Sequence, residues 1–402
     1  MTVLSTLAWI AFAAAALAIV WWIAVAIRLI RLIHSGVSVR RGLQVGVDES
    51  ETVSIIIPAH NEERVLARCL DTALAQDWPL LEVLICLDRC TDGSEAIAMA
   101  RAEADDRLKI IRINACPPTW AGKCNAASKG AEHASGTWLL MLDADTDADP
   151  RLVRAMVGEG TRRDTALLSL LTDLHCTAWF ERVSQPVATM VLMQAFPPDK
   201  VNRDDQNRPF ANGQCMLFRR EWYDRIGGHT AVQDDLLEDL AFSRRMDSEG
   251  GRVRVLAADG LLSCSMYGTW QAFRHGWTRI FLEACGRNTF RLRRFARRQE
   301  MLGAGPPLFM ASAITFGLLA SNPMAWITGL VLVVLQLLVL AVIYSHARQP
   351  LWCIVLFPIG CFEVARAQRR ARRLLLTGTP VCWGGREYVI ARRESRANIA
   401  NK

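Results

Sequence analysis

Two aspartates separated by one residue follow a short apolar stretch near the middle of the chain. Asp143 and Asp145 come directly after Trp138–Leu142, and Asp147 and Asp149 follow them. Carboxylates this close repel one another, and a divalent cation that also binds phosphate oxygens relieves the repulsion. The pattern therefore indicates a metal-assisted phosphate site, with a solvated acidic turn as the structural alternative.

Two further acidic pairs have a spacing that is compatible with chemistry. Asp88 and Asp92 lie in one short loop after an apolar run, and capping of the next helix is the simpler interpretation of Asp92 alone. Glu238 and Asp239 are adjacent. Taken alone, they are typical of the acidic first turn of a helix, here predicted over Leu236–Ser248.

The elements that must position these carboxylates alternate between short apolar runs and polar helical stretches. This alternation predicts an α/β domain with a mostly parallel sheet covered on both faces. The predicted strands are Ser54–Ile57, Leu81–Leu87, Leu108–Ile113 and Trp138–Leu142. The predicted helices are Glu62–Gln76, Ser94–Ala104 and Lys123–Ala134, with another beginning at Asp149 and Pro150. Because such sheets bind ligands at the carboxyl ends of their strands, the acidic residues are expected to meet there.

An uncharged segment precedes this α/β region. Met1–Ile27 carries no charge, and Leu4–Ile27 is long enough to cross a hydrocarbon layer of about 30 Å. Arg28 and Arg31 follow it, so the positive-inside rule predicts an external N-terminus and a cytoplasmic α/β domain. A cleaved signal peptide would have its charge before a shorter apolar run.

Two more apolar segments follow the α/β region. Residues 301–345 are uncharged and are broken by a turn at Ser321–Pro323, which predicts a membrane hairpin of Pro307–Ala320 and Met324–Tyr344. Leu351–Phe362 is shorter and is followed by several arginines. A full crossing would place those arginines outside, so a re-entrant or interfacial segment is favoured, while a crossing stays open.

The composition agrees with this division into apolar and charged parts. The 402 residues are 51% hydrophobic and 22% charged, which excludes a disordered or fibrous chain and a pure membrane bundle. The net charge of +7 is concentrated in arginine clusters beside the apolar segments, which indicates orientation and contact with anionic lipids rather than nucleic acid. The 12 cysteines form no C-x-x-C pair, which favours reduced thiols over disulfides or zinc.

Five motifs, in order and spacing, resemble those of the family 2 inverting glycosyltransferases. The resemblance covers roughly residues 50–285. Its motifs are Ser54 to Glu62, the loop with Asp88 and Asp92, Trp120 to Lys123, Asp143 with Asp145, and Glu238 with Asp239. The segments Asn212–Arg220, Ile226–His229, Ser263–Tyr267 and Trp383–Tyr388 look closer to a membrane-anchored branch that includes carotenoid, hopanoid-associated and ceramide-type lipid glycosyltransferases. The fold that this resemblance implies is the GT-A nucleotide-sugar transferase sandwich.

The resemblance also implies a role for each motif. Asp239 would be the general base, and Asp145 with Asp143 would hold Mg²⁺ or Mn²⁺ against the donor diphosphate. The donor would be bound by Glu62, Asp88, Asp92, Lys123 and Asp143. Residues on the acceptor side would be Gln214, Glu238, Arg274 and Trp277.

The acceptor follows less directly from the motifs. Many polymer-forming relatives carry Gln-x-x-Arg-Trp, but here Gln271 and Arg274 are followed by His275, and Trp277 is displaced. Relatives that glycosylate lipids usually have Lys-Asn after this Trp, where this chain has Arg279 and Ile280. We therefore expect transfer of a single sugar to a lipid-like acceptor. Transfer to a polyprenyl phosphate and a non-catalytic membrane scaffold are the alternatives.

The expected enzyme is a multi-pass protein of the inner or plasma membrane with its catalytic domain in the cytoplasm. Its partners would be a UDP- or GDP-hexose, a lipid acceptor and the membrane, but no nucleic acid. The helical stretches Phe180–Met193 and Gly268–Arg298 would lie at the lipid headgroups, with packing on the catalytic core as the alternative. The predicted parts are a transmembrane helix (1–33), a GT-A domain (50–267), an amphipathic interfacial helix (268–300), a transmembrane hairpin (301–345), a short re-entrant or membrane segment (351–365) and a basic cytosolic tail (366–402).

Overall fold

The computed structural model describes residues 3–35, 37–205, 208–235, 237–383 and 386–388. The strands are β1 (Val53–Ala59), β2 (Leu81–Asp88), β3 (Leu108–Ile113), β4 (Trp138–Leu142), β5 (Thr146–Ala148), β6 (Leu167–Leu171), β7 (Asp173–Leu174), β8 (Cys215–Arg219), β9 (Val253–Ala257), β10 (Leu262–Cys264), β11 (Val381–Trp383) and β12 (Arg386–Tyr388). The helices are α1 (Val3–His34), α2 (Leu66–Leu74), α3 (Ser94–Ala102), α4 (Gly122–His133), α5 (Leu152–Arg163), α6 (Trp179–Ala195), α7 (Pro198–Val201), α8 (Arg220–Arg225), α9 (Glu238–Ser248), α10 (Trp270–Ala284), α11 (Thr289–Arg298), α12 (Pro306–Leu319), α13 (Pro323–His346) and α14 (Phe357–Thr377).

A seven-stranded sheet in the order β3-β2-β1-β4-β8-β6-β9 forms the centre of the α/β region. β1 pairs in parallel with both β2 and β4, so Ile55 lies opposite Val83 on one side and Leu140 on the other. Buried aliphatic side chains fill these strands, as a sheet covered on both faces requires. The four predicted strands are confirmed, and β8 is antiparallel to its neighbours β4 and β6.

The strand order explains why the acidic motifs converge. The chain proceeds outward from β1 through β2 to β3 and then returns to the other side of β1 as β4, and this reversal opens a crevice at the carboxyl ends. Asp88 ends β2, and Asp143 follows β4. A three-stranded sheet in the order β5-β10-β7 then carries the chain back beside Asp145.

Several predicted helix starts are wrong by a few residues. α2 begins at Leu66 rather than Glu62, because Asn61 adopts a left-handed conformation (φ 58°) and residues 63–65 form a turn. α5 begins at Leu152 because the Asp149 carboxylate accepts the Arg151 backbone N–H and holds a turn. α9 begins at Glu238, and position 236 of the predicted helix lies outside the described residues.

The apolar ends of the chain pack together as a helical group. α1 contacts both α12 and α13, and the two helices of the predicted hairpin are confirmed, with Asn322 capping α13 through the Ala325 N–H. Gly317 lets α12 approach α13 closely, since a Cβ there would lie 2.6 Å from the Trp326 backbone nitrogen. Three helical segments of the described chain are long and apolar enough to cross a membrane, or four if the bent pair α11–α12 counts as one span.

The helical stretch that contains the third apolar segment, Leu351–Phe362, extends beyond its predicted end. A 3₁₀ turn over Leu351–Leu356 leads directly into α14, which continues to Thr377 instead of stopping near residue 365. α14 packs against α6, α10 and α11 because one of its faces is apolar. The arginines on its polar face are accommodated locally, and Arg370 donates to the His275 ring. Much of the predicted basic tail, and residues 384 and 385 of the terminal motif, lie outside the described residues.

The segment that joins α1 to β1 approaches the backbone of α5 closely at Gly42. A Cβ at Gly42 would collide with the Ala155 carbonyl and lie 2.9 Å from the Glu159 nitrogen, whereas Gly46 has open space around it. We predict that Gly42→Ala lowers the free energy of unfolding by about 1–3 kcal/mol, because backbone atoms cannot move aside easily. Thermal unfolding in detergent would measure the loss. Gly46→Ala is the matched control, and equal melting temperatures for the two variants would contradict the packing.

Candidate active site

A cavity of about 630 Å³ lies at the carboxyl ends of β1, β2 and β4. Residues of α6 and α10 form the wall of the cavity opposite the sheet. Most of the residues proposed from the sequence line this cavity: Glu62, Asp88, Lys123, Asp143, Asp145, Gln214, Glu238, Asp239 and Trp277. Asp92 and Arg274, which were also proposed from the sequence, do not line it.

Lys123 connects the two sides of the cavity. Its Nζ lies 2.7 Å from Asp143 Oδ1 and 2.7 Å from Glu238 Oε1, and it donates to the Gly213 carbonyl at 3.2 Å. The lysine side chain is 21% exposed and that of Glu238 only 5%, so water screens these ion pairs weakly. The ammonium therefore joins the β4 end, the start of α9 and the loop before β8.

Burial and charge act against each other in this triad. Burial alone would lower the Lys123 pKa, but Asp143 and Glu238 raise it above its usual range, so the ammonium stays charged. Burial raises the pKa of Asp143, and Lys123 offsets only part of that effect. Burial also acts on Glu238, but Lys123 outweighs it and the pKa of this carboxyl is lowered. One cation thus pairs with the buried Glu238 and the half-buried Asp143.

Two further carboxylates in the cavity form no ion pair within the part of the chain that the structure describes. Burial and Asp143 raise the pKa of Asp145 to about 7. Burial, followed by Asp145 and Asp143, raises the pKa of Glu62 to about 7. Excess negative charge among hard oxygen atoms is the environment that Mg²⁺ or Mn²⁺ relieves.

A complete protein cage for a metal is not present among the described residues, where no three His, Cys, Asp or Glu side chains converge closely enough. Mg²⁺ commonly uses one or two carboxylates and takes its other ligands from substrate phosphates and water. Asp143 and Asp145 fit that mode, since Lys123 is paired with one Asp143 oxygen and the Asp145 carboxylate accepts from the Cys264 thiol at 3.4 Å.

Asp239 lies at the start of α9 and faces the same cavity. Its Oδ2 accepts the Gly213 backbone N–H at 2.8 Å, and its Oδ1 accepts its neighbour Leu240 N–H at 2.7 Å. Burial, and then the adjacent Glu238, raise its pKa to about 7. A carboxyl held in one orientation, with a pKa close to neutrality, is suited to accept a proton.

The Asp88 loop differs from the sequence interpretation in its details. The Asp88 carboxylate is paired with its neighbour Arg89, at 2.9 Å and 2.6 Å, so a ligand would meet an arginine–aspartate pair rather than a bare carboxylate. Asp92 lies outside the cavity and accepts the Ser94 and Glu63 backbone N–H groups. It therefore holds the loop before α3, although the N-cap residue of that helix is Gly93 rather than Asp92.

Gln214 belongs to a polar network behind the Asp145 carboxylate. Its Oε1 accepts from Thr172 and from Asn212, and its Nε2 lies 2.9 Å from the Cys264 sulfur. Cys264 in turn contacts Asp145. The sequence offers no signal for this role of Cys264, because the two residues are brought together only by the pairing of β10 with β5.

α10 provides the wall of the cavity opposite the sheet. Trp277 is buried, lines the cavity and donates its indole N–H to Gln185 on α6. Arg274 instead lies over the Trp270 ring and does not line the cavity, because it falls on a different face of the helix. Arg279 lines the cavity, and its charge partly opposes the rise that burial causes in the pKa of Asp143.

Lys123 can be compared with a second lysine on the same helix. We predict that Lys123→Met lowers the free energy of unfolding by about 3 kcal/mol, because it leaves the buried Glu238 and the half-buried Asp143 without their shared cation. Lys129, which pairs with Glu132 at the surface, is the control, and Lys129→Met is expected to cost less than about 0.5 kcal/mol. Chemical denaturation of both variants measures the difference, and similar losses would show that the buried triad is not stabilising.

Comparisons with known proteins agree with this geometry. Residues 54–227 match the Glycosyl transferase family 2 model, which ends before Glu238 and Asp239. A 4,4'-diaponeurosporenoate glycosyltransferase of Staphylococcus aureus (strain MRSA252) is 24% identical over 238 residues, which are 59% of this chain and 62% of that relative. The counterpart in strain USA300 is 25% identical over 242 residues, with the same shares. The match thus spans less than two thirds of these relatives.

Solved structures of lower similarity include a mannosyltransferase from Pyrobaculum calidifontis in complex with GDP-Man and Mn²⁺. It is 17% identical, with a TM-score of 0.49 over 90% of this chain and 98% of that one. Residues 1–349 of Staphylococcus aureus TarS, in complex with UDP-GlcNAc, are 13% identical, with a TM-score of 0.43 over 84% of this chain and 96% of that one. Residues 54–227 thus match a Glycosyl transferase family 2 domain, and this match together with the sheet order identifies a GT-A fold.

Proposed function

We propose that this chain transfers a hexose from a nucleotide diphosphate sugar to a lipid-like acceptor, with inversion at the anomeric carbon. The observation that carries the proposal is the placement of Asp239 across one cavity from Asp143 and Asp145. A proton acceptor and a pair of phosphate-side carboxylates are the two components that a direct displacement needs. The cavity is also within the size range of small-molecule sites, about 300–1,000 Å³.

The donor would lie along the strand ends. Glu62 and the Asp88–Arg89 pair line the cavity and would contact the nucleoside, and Asp92 would act indirectly by holding the loop that carries Asp88 and Arg89. Asp143 would face the ribose or the sugar. Asp143 and Asp145 would hold Mg²⁺ or Mn²⁺, which supplies neutralisation of the charge that develops on the diphosphate leaving group.

The chemical step assigned to the chain's own residues is proton transfer. The acceptor hydroxyl attacks the anomeric carbon from the face opposite the diphosphate, the bond to the diphosphate breaks, and Asp239 takes the hydroxyl proton. Gly213 and Leu240 hold the carboxylate through their N–H groups. Glu238 is tied to Lys123 and therefore positions the start of α9 rather than competing for the proton.

An amphiphilic acceptor is favoured by the surroundings of the cavity. α6 and α10 form its wall, and Trp179, on α6, stacks against Trp270, on α10. The curated relatives are named for diaponeurosporenoate, a carotenoid-type acceptor. We infer an acceptor with a hydroxyl or carboxyl head, and a multi-pass protein whose catalytic domain lies at the cytoplasmic face beside Arg28 and Arg31.

The proposal is tested by incubating the purified full chain with host lipid extract and labelled UDP- and GDP-hexoses. We expect a labelled lipid from at least one donor, loss of that product with a chelator, and recovery with Mn²⁺ or Mg²⁺. Asp145→Asn is expected to need more metal for half-maximal rate, whereas Asp147→Asn, which alters a carboxylate paired with Arg68, is the control. The absence of a labelled lipid with every donor and metal would refute the function.

Asp239 supports a separate prediction about the base. Asp239→Asn is expected to lower kcat by about 10²–10⁴ while nucleotide-sugar binding is retained. Because the pKa of Asp239 is raised to about 7, the wild-type kcat/KM should fall as the pH drops below about 7, where the carboxyl is neutral and accepts no proton. Asp247→Asn, on the same helix, is the control, with an expected change within about twofold. Full activity of Asp239→Asn would remove the base assignment only.

A further inference from the structure

A second cavity of about 290 Å³ lies between the catalytic domain and the apolar helices. Its walls come from the C-terminal ends of α1 and α13, from α6, and from the residues that follow β6. Val25, Leu29 and Leu32 contribute one side of the lining, and Ile343 contributes another. This cavity is a feature of the tertiary structure, because α1 and α13 lie at opposite ends of the sequence.

The second cavity adjoins the catalytic one. The two share wall residues that lie on α6 and just after β6, so only one layer of side chains separates them. The shared residues are Leu171, Thr172, Leu174, Gln185, Thr189 and Met193. Thr189 and Met193 are half-buried, so they are not packed into the core on all sides. One of these residues, Gln185, also accepts from Trp277 in the catalytic cavity.

The lining of the second cavity changes character along its length. Aliphatic, methionine and proline side chains dominate its interior, while Arg28, Asp199, His346 and Arg348 lie at its edge. Arg348 is ion-paired with Asp173 at 3.2 Å. An apolar interior with a charged edge matches a molecule that has a long apolar chain and lies at a membrane boundary.

The α1 side chains beside the second cavity indicate where such a molecule would enter. Leu29 faces the cavity and is half-buried, whereas its neighbour Ile30 is 55% exposed, and Ile27 and Ile33 are also exposed. α1 and α13 are both candidate membrane spans. Exposed aliphatic residues beside the cavity therefore place its edge next to lipid rather than next to bulk water.

We propose that the second cavity is the slot for the apolar chain of the acceptor. The head group passes the shared wall at Thr189 and Met193 and reaches Asp239, while the chain lies between α1 and α13. This assignment rests on the proposed function and adds to it a substrate class: an amphiphile with a long, slender apolar chain that enters sideways from the membrane.

Leu29 and Ile30 provide a matched pair of substitutions. We compare Leu29→Trp and Ile30→Trp in the full chain, using host lipid extract and the labelled donor, and we measure lipid product relative to donor hydrolysis. Filling the slot in Leu29→Trp should lower this ratio by about tenfold or more, because the acceptor chain loses its burial. Ile30→Trp should leave the ratio within about twofold, since that side chain points to lipid.

The possible outcomes distinguish a failure of the slot proposal from a failure of the proposed function. Active wild type with equal ratios for the two variants overturns the slot and leaves the proposed function standing. A wild-type enzyme that makes no labelled lipid instead refutes the proposed function. If Leu29→Trp fails to fold, photo-crosslinking of the wild type with a palmitic acid analogue that carries a terminal diazirine decides the matter. Labelling of Leu29, Met190 or Ile343 supports the slot, and labelling confined to the outward face of α1 overturns it.

Discussion

The Lys123 ammonium is the interaction on which the catalytic cavity depends. Asp143 follows β4, Glu238 begins α9, and the Gly213 carbonyl precedes β8, so a single side chain joins three separate parts of the fold. The half-buried Asp143 and the buried Glu238 would otherwise repel each other across a poorly screened space. Pairing with Lys123 stabilises both and leaves Asp239, the next residue along, with a raised pKa and a fixed orientation.

The carboxylates in the cavity therefore differ in whether a basic side chain compensates their charge. Asp143 and Glu238 are compensated by a lysine, and Asp88 by Arg89, while Glu62 and Asp145 have no comparable cation and pKa values raised to about 7. A folded chain tolerates such a deficit where a ligand supplies the missing charge. The deficit lies at the crevice between β1 and β4, where open α/β sheets bind their ligands.

The apolar helices α1 and α13 line the second cavity as well as being candidate membrane spans. α6, α10 and α14 pack together beneath α1 and the α12–α13 hairpin, so the catalytic domain and the apolar group share walls instead of being joined by a loose linker. The second cavity exists because the ends of α1 and α13 meet the α6 side of the domain. The route open to an acceptor thus depends on how these two parts are docked.

Local patterns in the sequence encode the buried strands, the apolar segments, the strand-end carboxylates Asp143 and Asp145, and Asp239 at the start of a helix. These follow from periodicity, length and motif spacing, which act over a few residues. Only the tertiary structure decided that Lys123 joins Asp143 to Glu238, that Cys264 contacts Asp145, and that Arg274 turns away while Arg279 faces the cavity. Such partners lie far apart in the chain or on alternative faces of one helix, and packing alone selects among them.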